Sequence, residues 1–413
     1  MQNRNKRAMP ILFLTMFIVM VGFGVIMPIL PFYAEQMGAS ATDLGLLLAS
    51  YSVVQFFFSP LWGQASDRFG RKPVILLGLT GFAISFFLFG FASQLWMLFG
   101  ARILGGLLSA ATLPTVLAYI ADTTNEKERG GGMGVLGAAM GMGVTFGPVI
   151  GGYLGEISQS LPFFASAALA LAVAVFAGIF LPESRRREER EKARQGQQRR
   201  RNGLGDIWSA LGGTLGFVKV LAFLASFANA NLEGTFALFS EVQLGFGEAQ
   251  MGTVFGVMGI TMALTQGLLV GWFINRFGEE RLIQIGLIFS ALGFLAIILT
   301  FNMASILIVM SVMGLGNASL RPAVNSLVSK RTLADEQGRI LGVVNSYNSL
   351  GRVFGPVLGG MIFDLLGFRW PYIVGSVIFF ITLVLSAYFF KRNKWEPEAG
   401  SQSEWSLETG SMD

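Results

Sequence analysis

Twelve stretches of about twenty mainly apolar residues recur along this chain, and one such stretch suffices to cross the hydrocarbon core of a bilayer. They lie near 9–33, 43–64, 73–92, 95–121, 131–154, 161–181, 219–242, 248–274, 282–300, 303–329, 339–363 and 370–390. No water reaches that core, so spanning segments of this length satisfy their peptide groups as helices. Composition agrees: 53% of the 413 residues are hydrophobic and 13% are charged, against about 25% charged in soluble domains. The chain has no Cys and no His. Disulfides, thiolate metal sites and imidazole catalysis are thereby excluded, and neither a metal nor a cofactor is expected. Met9 to Tyr33 is too long for the apolar core of a signal peptide, so the first span is expected to remain in the mature protein.

The pI of about 9.5 could indicate nucleic acid, but the placement of the cations gives a better account. Twenty-five of the thirty Lys and Arg fall in alternate loops and at the two termini, and the opposite side holds Arg369 alone. Under the positive-inside rule both termini are cytoplasmic. The expected setting is a bacterial plasma membrane crossed many times, with the bilayer as partner, no nucleic acid, and a monomeric chain. The stretch 182–206 reads as a charged, solvated cytoplasmic linker whose basic clusters lie against anionic head groups. The tail, 394–413, is polar and reads as disordered.

The chain repeats itself at a constant offset of 208 residues. Gly63, Arg68, Phe69 and Gly70 match Gly271, Arg276, Phe277 and Gly278; Pro114 matches Pro322, and Glu128 matches Glu336. "FGPVIGG" at 146–152 matches "FGPVLGG" at 354–360. A duplicated six-span unit gives an N-terminal bundle over 1–181 and a C-terminal bundle over 207–393. Such repeats build transporters with a midplane site between the halves, although a duplicated channel or a scaffold shares the pattern.

The loop after span 2 runs Gly63-Gln64-Ala65-Ser66-Asp67-Arg68-Phe69-Gly70-Arg71-Lys72. Gly63 would let span 2 approach a neighbour closely. Asp67 would suit a helix N-terminus, where the macrodipole favours an anion. A basic turn serving topology alone explains the cations but not these two positions. In span 5, Gly143, Gly147 and Gly151 form a flat stripe for close packing, and Pro148 removes a backbone hydrogen bond and bends the span. Span 1 carries "GFGVIMPILPFY" (22–33), and span 4 has Arg102 followed by Gly105 and Gly106.

These motifs resemble those of the major facilitator superfamily, in particular its twelve-span drug:proton antiporter branch of bacterial multidrug exporters. The resemblance covers nearly the whole chain except the linker and tail. It implies an all-α membrane protein of twelve transmembrane helices in two pseudo-symmetric six-helix bundles. It also implies a gating latch built from Gly63, Asp67, Arg68, Gly70 and Arg71. Asp67 would meet span 11 near 338–340 when the cytoplasmic side closes, and Asp122 would pair with Arg71. The second copy, Gly271 to Glu280, has Asn275 in place of Asp67, so that latch is degenerate.

Charges inside a membrane are costly and usually functional. Glu233 is the only carboxylate well inside a span, and Ser226, Asn229, Glu233, Ser240 and Gln243 share one face of span 7, joined by Phe236. Burial disfavours the charged form of an acid and a nearby Arg favours it. Between those limits a carboxylate can load and release a proton near neutral pH. A static Glu–Arg pair is the alternative, and Asp122 is a rival carrier. Tyr51 and Gln55 share a face of span 2, Asn317 and Arg321 one of span 10, and Asn345, Asn348 and Arg352 one of span 11. The resemblance implies that positions matching Gln55, Glu233, Arg321 and Asn345 line the cavity, and it draws Arg102 into proton coupling. Asn317 departs from it, since close relatives carry a second acid there. With two buried Arg and one Glu, neutral, zwitterionic or partly anionic substrates fit as well as lipophilic cations.

A nucleotide-driven pump needs Gly-Lys followed by Ser or Thr, and none of the eight lysines follows a Gly. The expected energy source is therefore the proton gradient, and the expected cargo a small amphiphilic molecule moved by alternating access. Passive or proton-coupled transport of a specific metabolite or lipid-like substrate remains the alternative. An enzyme is disfavoured by the lack of paired carboxylates or a nucleophile–base motif.

Overall fold

The computed structural model describes residues 2–184, 216–332 and 337–392, and every apolar stretch in them is helical. The helices are α1 (Gln2–Gln36), α2 (Ala41–Phe69), α3 (Arg71–Gly90), α4 (Leu95–Thr123), α5 (Glu126–Ile157) and α6 (Leu161–Phe180). They continue as α7 (Gly216–Leu244), α8 (Glu248–Phe277), α9 (Glu279–Ile297), α10 (Met303–Lys330), α11 (Gln337–Leu366) and α12 (Trp370–Arg392). No strand occurs among the described residues. Most of the linker and the whole 394–413 tail lie outside them.

Eleven of these helices are long and apolar enough to cross a membrane, and α7 is the exception. Lys219, Asn229, Asn231, Glu233 and Glu241 dilute its hydropathy, so the helix that least resembles a span is the one that carries the interior acid. Several helices overrun the apolar stretches because polar caps extend them. α2 starts at Ser40, whose side chain accepts from Asp43 N while the Asp43 carboxylate accepts from Ser40 N. It ends at Gly70, whose φ of +104° lets the chain turn at once into α3. Gly278, its repeat partner, makes the same turn between α8 and α9 at φ +80°.

Two apolar cores form, one per half. The first is built around Met16, Ile29, Leu30, Leu79, Phe89, Tyr119 and Phe163. The second is built around Phe236, Phe239, Ile283, Phe294, Tyr372 and Phe379. Helices in lipid gain little from the hydrophobic effect on meeting each other, so close approach through small residues must hold them. On α5, Gly143, Gly147 and Gly151 each face the α1 backbone, at Phe17–Val21, Val21–Gly24 and Val25. Their repeat partners on α11, Gly351, Gly355 and Gly359, face the α7 backbone from Phe223 to Asn231. The next glycine of each stripe reaches into the other half. Gly152 meets Glu248 and Gly252 of α8, and Gly360 meets Ala41 and Thr42 of α2.

All these inter-half contacts lie towards one end of the molecule. That end carries Glu35, Asp43, Glu156, Glu241, Glu248 and Asp364, and we call it the acidic end; the other, with Arg68, Arg71, Lys72, Lys330 and Arg331, is the basic end. At the acidic end the Asp364 carboxylate of α11 accepts from Thr42 N (2.8 Å), Thr42 Oγ1 (2.6 Å) and Ala41 N (3.2 Å) at the start of α2. Gln159 Nε2 donates to Glu248 Oε1 (2.7 Å). Towards the basic end no residue from 50 to 65 of α2 is buried. A Cβ added at Gly63, Gly134, Gly141, Gly271 or Gly342 would meet open space. The halves are joined at the acidic end and part towards the basic end.

Adding a side chain should therefore be tolerated or not according to its end. Gly147→Leu and Gly355→Leu each overpack a helix pair and should destabilise by about 1–3 kcal/mol, whereas Gly63→Ala should be near neutral. Thermal unfolding in detergent checks the contrast.

Candidate functional site

Two polar clusters lie at opposite depths of the molecule, one at the basic end and one at mid-membrane. At the basic end, Arg71 opens α3, and its side chain is 5% exposed. Its guanidinium pairs with Asp67 (2.8 Å) and Asp122 (2.8 Å) and also donates to Ser66 Oγ. The Arg71–Asp122 pairing implied by the family resemblance is thus present. Glu183, just past α6, accepts from Arg71 N (2.9 Å) and Lys72 N (3.3 Å), so a carboxylate caps the positive end of α3. Sequence reasoning passed over Glu183; its signal was a lone acid directly after a span, facing a helix start that has no acid of its own. The latch partner near 338–340 falls partly on side chains outside the described residues.

The repeat preserves this cluster with its polarity reversed. Counting 208 residues on, Arg71 becomes Glu279 and Asp122 becomes Lys330, and these two are again paired, at 2.5 Å. Arg331 pairs with Glu280 beside them. The first copy is sealed from solvent at its Arg, while the Lys330 side chain of the second is 63% exposed.

At mid-membrane, α2, α7, α10 and α11 bring together Tyr51, Glu233, Arg321 and Arg352. Arg352 lies within electrostatic range of the other three. Glu233 is half-buried, and among the described residues it makes no hydrogen bond and no ion pair within 4.0 Å. It therefore feels Arg352 across a gap rather than gripping it, which leaves room for a proton or a substrate group between them. Arg321 and Arg352, expected to be buried, are exposed, as are Asn325 and Asn345, and Gln55, Asn229, Asn317 and Asn348 are half-buried. Asn229 Oδ1 is buried without a donor. Ser290 Oγ donates to Asn317 Oδ1 (3.2 Å), and Ser226 Oγ donates to the Asn348 carbonyl (2.7 Å). Arg352 has one weak contact, to Ser349 Oγ at 3.4 Å.

Two residues of the expected polar face are used elsewhere. Phe236, expected as a substrate contact, is fully buried in the C-terminal core and packs edge-on to Phe255 at 5.6 Å. Three residues turn a helix about 300°, so Phe236 stands about 60° off the direction of Glu233 and falls behind the wall. Gln243 sits at the acidic end, donating to the Thr300 carbonyl and accepting from Arg369.

Arg102 lies inside the N-terminal half, 3% exposed, in a small cavity shared with Phe23, Tyr51, Phe89 and Ser109. Its guanidinium carbon sits 5.5 Å from the Tyr51 ring and 5.7 Å from the Phe89 ring, and Nε has no partner. The Tyr51 hydroxyl meets Ser109 Oγ at 2.8 Å, and Ser109 in turn donates to the Gly105 carbonyl. Tyr51 therefore has Arg102 on one side and the field of Arg352 on the other.

The sequence profile described as Major Facilitator Superfamily matches residues 12–229 and 218–408. The chain is 33% identical over 385 residues to multidrug resistance protein 2 of Bacillus subtilis, covering 93% of this chain and 95% of that one. It is 31% identical over 378 residues to the class B tetracycline resistance protein of Escherichia coli, covering 89% and 92%. Among solved structures, the nucleoside transporter NupG superposes with a TM-score of 0.77 at 14% identity, covering 94% of this chain and 100% of that one. A bacterial homologue of the human lysosomal transporter Spinster, inward-facing and occupied, gives 0.74 at 16%, covering 95% and 99%.

Arg102 supplies a test of cost against use. A buried cation whose Nε is unsatisfied and which pairs with no carboxylate among the described residues is expensive to keep. Arg102→Met should therefore stabilise the fold, by on the order of 1 kcal/mol or more, while lowering transport. Thermal unfolding and flux measured on one preparation check both signs.

Proposed function

The chain belongs to the major facilitator superfamily, and from that membership we propose that it exports drugs and other small amphiphilic molecules in exchange for protons. Secondary transport by alternating access follows from the fold. The drug-efflux reading draws on relatives named for multidrug, tetracycline and quinolone resistance. The basic end is the cytoplasmic one under the positive-inside rule, so the described conformation faces inward.

The observation that carries the proton reading is Glu233: a mid-span carboxylate with no direct partner, facing Arg352 across a gap. When Glu233 is ionised it holds the Arg352 charge. When it is protonated, Arg352 and Arg321 are released to a substrate. One proton moving inward across 100 mV contributes about 2.3 kcal/mol, and a pH difference of one unit about 1.4, enough to concentrate a drug outside. Two exposed arginines beside one acid favour neutral, zwitterionic or partly anionic amphiphiles over simple lipophilic cations. Asp122 is held by Arg71, so its role in this reading is to keep the basic-end cluster together. The cluster around Arg71 and Asp67 serves as the inner gate.

Glu233→Gln should abolish drug accumulation driven by a pH gradient in proteoliposomes while leaving passive drug exchange measurable. Asp122→Asn should keep coupling and lower the rate. Full coupling in Glu233→Gln would make that residue a structural or substrate contact. Asp67→Asn should shift the population towards inward-opening, read as longer distances across the basic end; an unchanged distribution would remove Asp67 from the gate.

A further inference from the structure

At the sealed acidic end, α1 and α7 exchange side chains between the halves. Phe32 of α1 is buried in the C-terminal core, and Leu238 of α7 is buried in the N-terminal core. Three residues further towards the acidic end on each helix stand Glu35 and Glu241, both exposed, with their carboxyl groups within hydrogen-bonding reach of each other. The charges around them are few. Glu248 of α8 is within electrostatic range and is already engaged by Gln159. Asp364 of α11 is spent on the start of α2. Arg369, the one cation at this end among the described residues, donates to Gln243 and stacks over Phe368.

Four polar bridges thus cross between the halves here, the fourth joining the Tyr153 hydroxyl to Thr253 Oγ1 at 3.4 Å, and they differ in what they need. Asp364 and Glu248 accept from backbone, hydroxyl and amide donors that carry their hydrogens at any pH. Two carboxyl groups have no such donor. They hydrogen-bond only when one of them holds a proton, and two like charges at that distance cannot both ionise.

We propose that Glu35 and Glu241 form a proton-dependent clasp across the acidic-end gate, so that proton binding from that side favours the sealed, inward-facing state. When the clasp proton leaves, two carboxylates face each other beside Glu248, and the Phe32–Leu238 exchange is pushed apart. The sign follows from proton counting: the sealed state binds one more proton than the open one, so acid closes this gate and alkali opens it. The ratio of sealed to open then changes by at most tenfold per pH unit. This inference rests on the alternating-access reading above, but on neither Glu233 nor the identity of the drug.

The chain has no Cys, so labels can be placed freely. Ser158 and Phe301 are exposed on acidic-end loops of opposite halves. Spin labels on Ser158→Cys and Phe301→Cys, in the full chain in lipid nanodiscs without drug, report the gate distance between about pH 5 and pH 9, a range on both sides of neutral. The expected result is a short distance at low pH that lengthens as pH rises. Glu35→Gln and Glu241→Gln each supply a permanent amide donor, so both should stay short across the range, while Glu156→Gln, at an exposed acidic-end acid outside the clasp, should keep the parental pH dependence. An invariant distance in the parent overturns the clasp. So does an unchanged pH dependence in both gate variants, or its loss in Glu156→Gln alone. Failed coupling in the Glu233→Gln flux assay leaves the clasp standing, so the two readings fail separately.

Discussion

The structure depends on how closely two backbones can approach where water cannot help. Leu and Val side chains gain almost nothing by leaving lipid for another helix, so attraction must come from contact area and from peptide groups brought near each other. The glycines of α5 and α11 meet that requirement. Three glycines at four-residue spacing seat each helix on its own half, and a fourth, one residue past the last, seats it on the other half. One stripe thus serves cohesion and motion together. The contact within a half is continuous, whereas the contact between halves, among the described residues, runs from the acidic end only as far as mid-helix, where Gly259 of α8 meets Thr145 of α5. The halves can therefore rock about that end without disturbing either core.

Pro148 and Pro356 sit inside these stripes. Each removes a hydrogen bond where a partner backbone is close: the Pro148 carbonyl lies against Gly252 and the Pro356 carbonyl against Gly45. The prolines and the small residues therefore coincide, and the crossing points of α5 on α8 and of α2 on α11 are the two places where the halves touch most tightly.

Much of this was legible in the sequence because the signals were periodic. Apolar runs placed the spans, the 208-residue offset exposed the duplication, and cation placement ordered the ends. The interior acid announced itself through isolation. What stayed hidden were the choices that a helix face leaves open. Phe236 and Glu233 are three residues apart, yet one lies in the core and the other beside the void, because periodicity fixes direction to about a third of a turn and cannot say which neighbour covers the margin. Glu183 and Asp364 cap helices that start more than a hundred residues away in the chain. A cap's donors are unremarkable peptide groups, so only three-dimensional proximity identifies the acceptor. The Glu35–Glu241 contact is of the same kind: two ordinary rim acids until the fold joins them.

The reversed ion pair bears on how the chain assembles as it is made. In a duplicated protein the helices of one half resemble the docking surfaces of the other, and the first half waits in the membrane while the second is inserted. A α3 that docked on α10 would set Arg71 against Lys330, and an α9 that docked on α4 would set Glu279 against Asp122. Both mistakes oppose like charges, while both correct dockings join opposite ones. Inverting the pair between copies thus marks each half as self, a repulsive label against cross-assembly that identical repeats would lack.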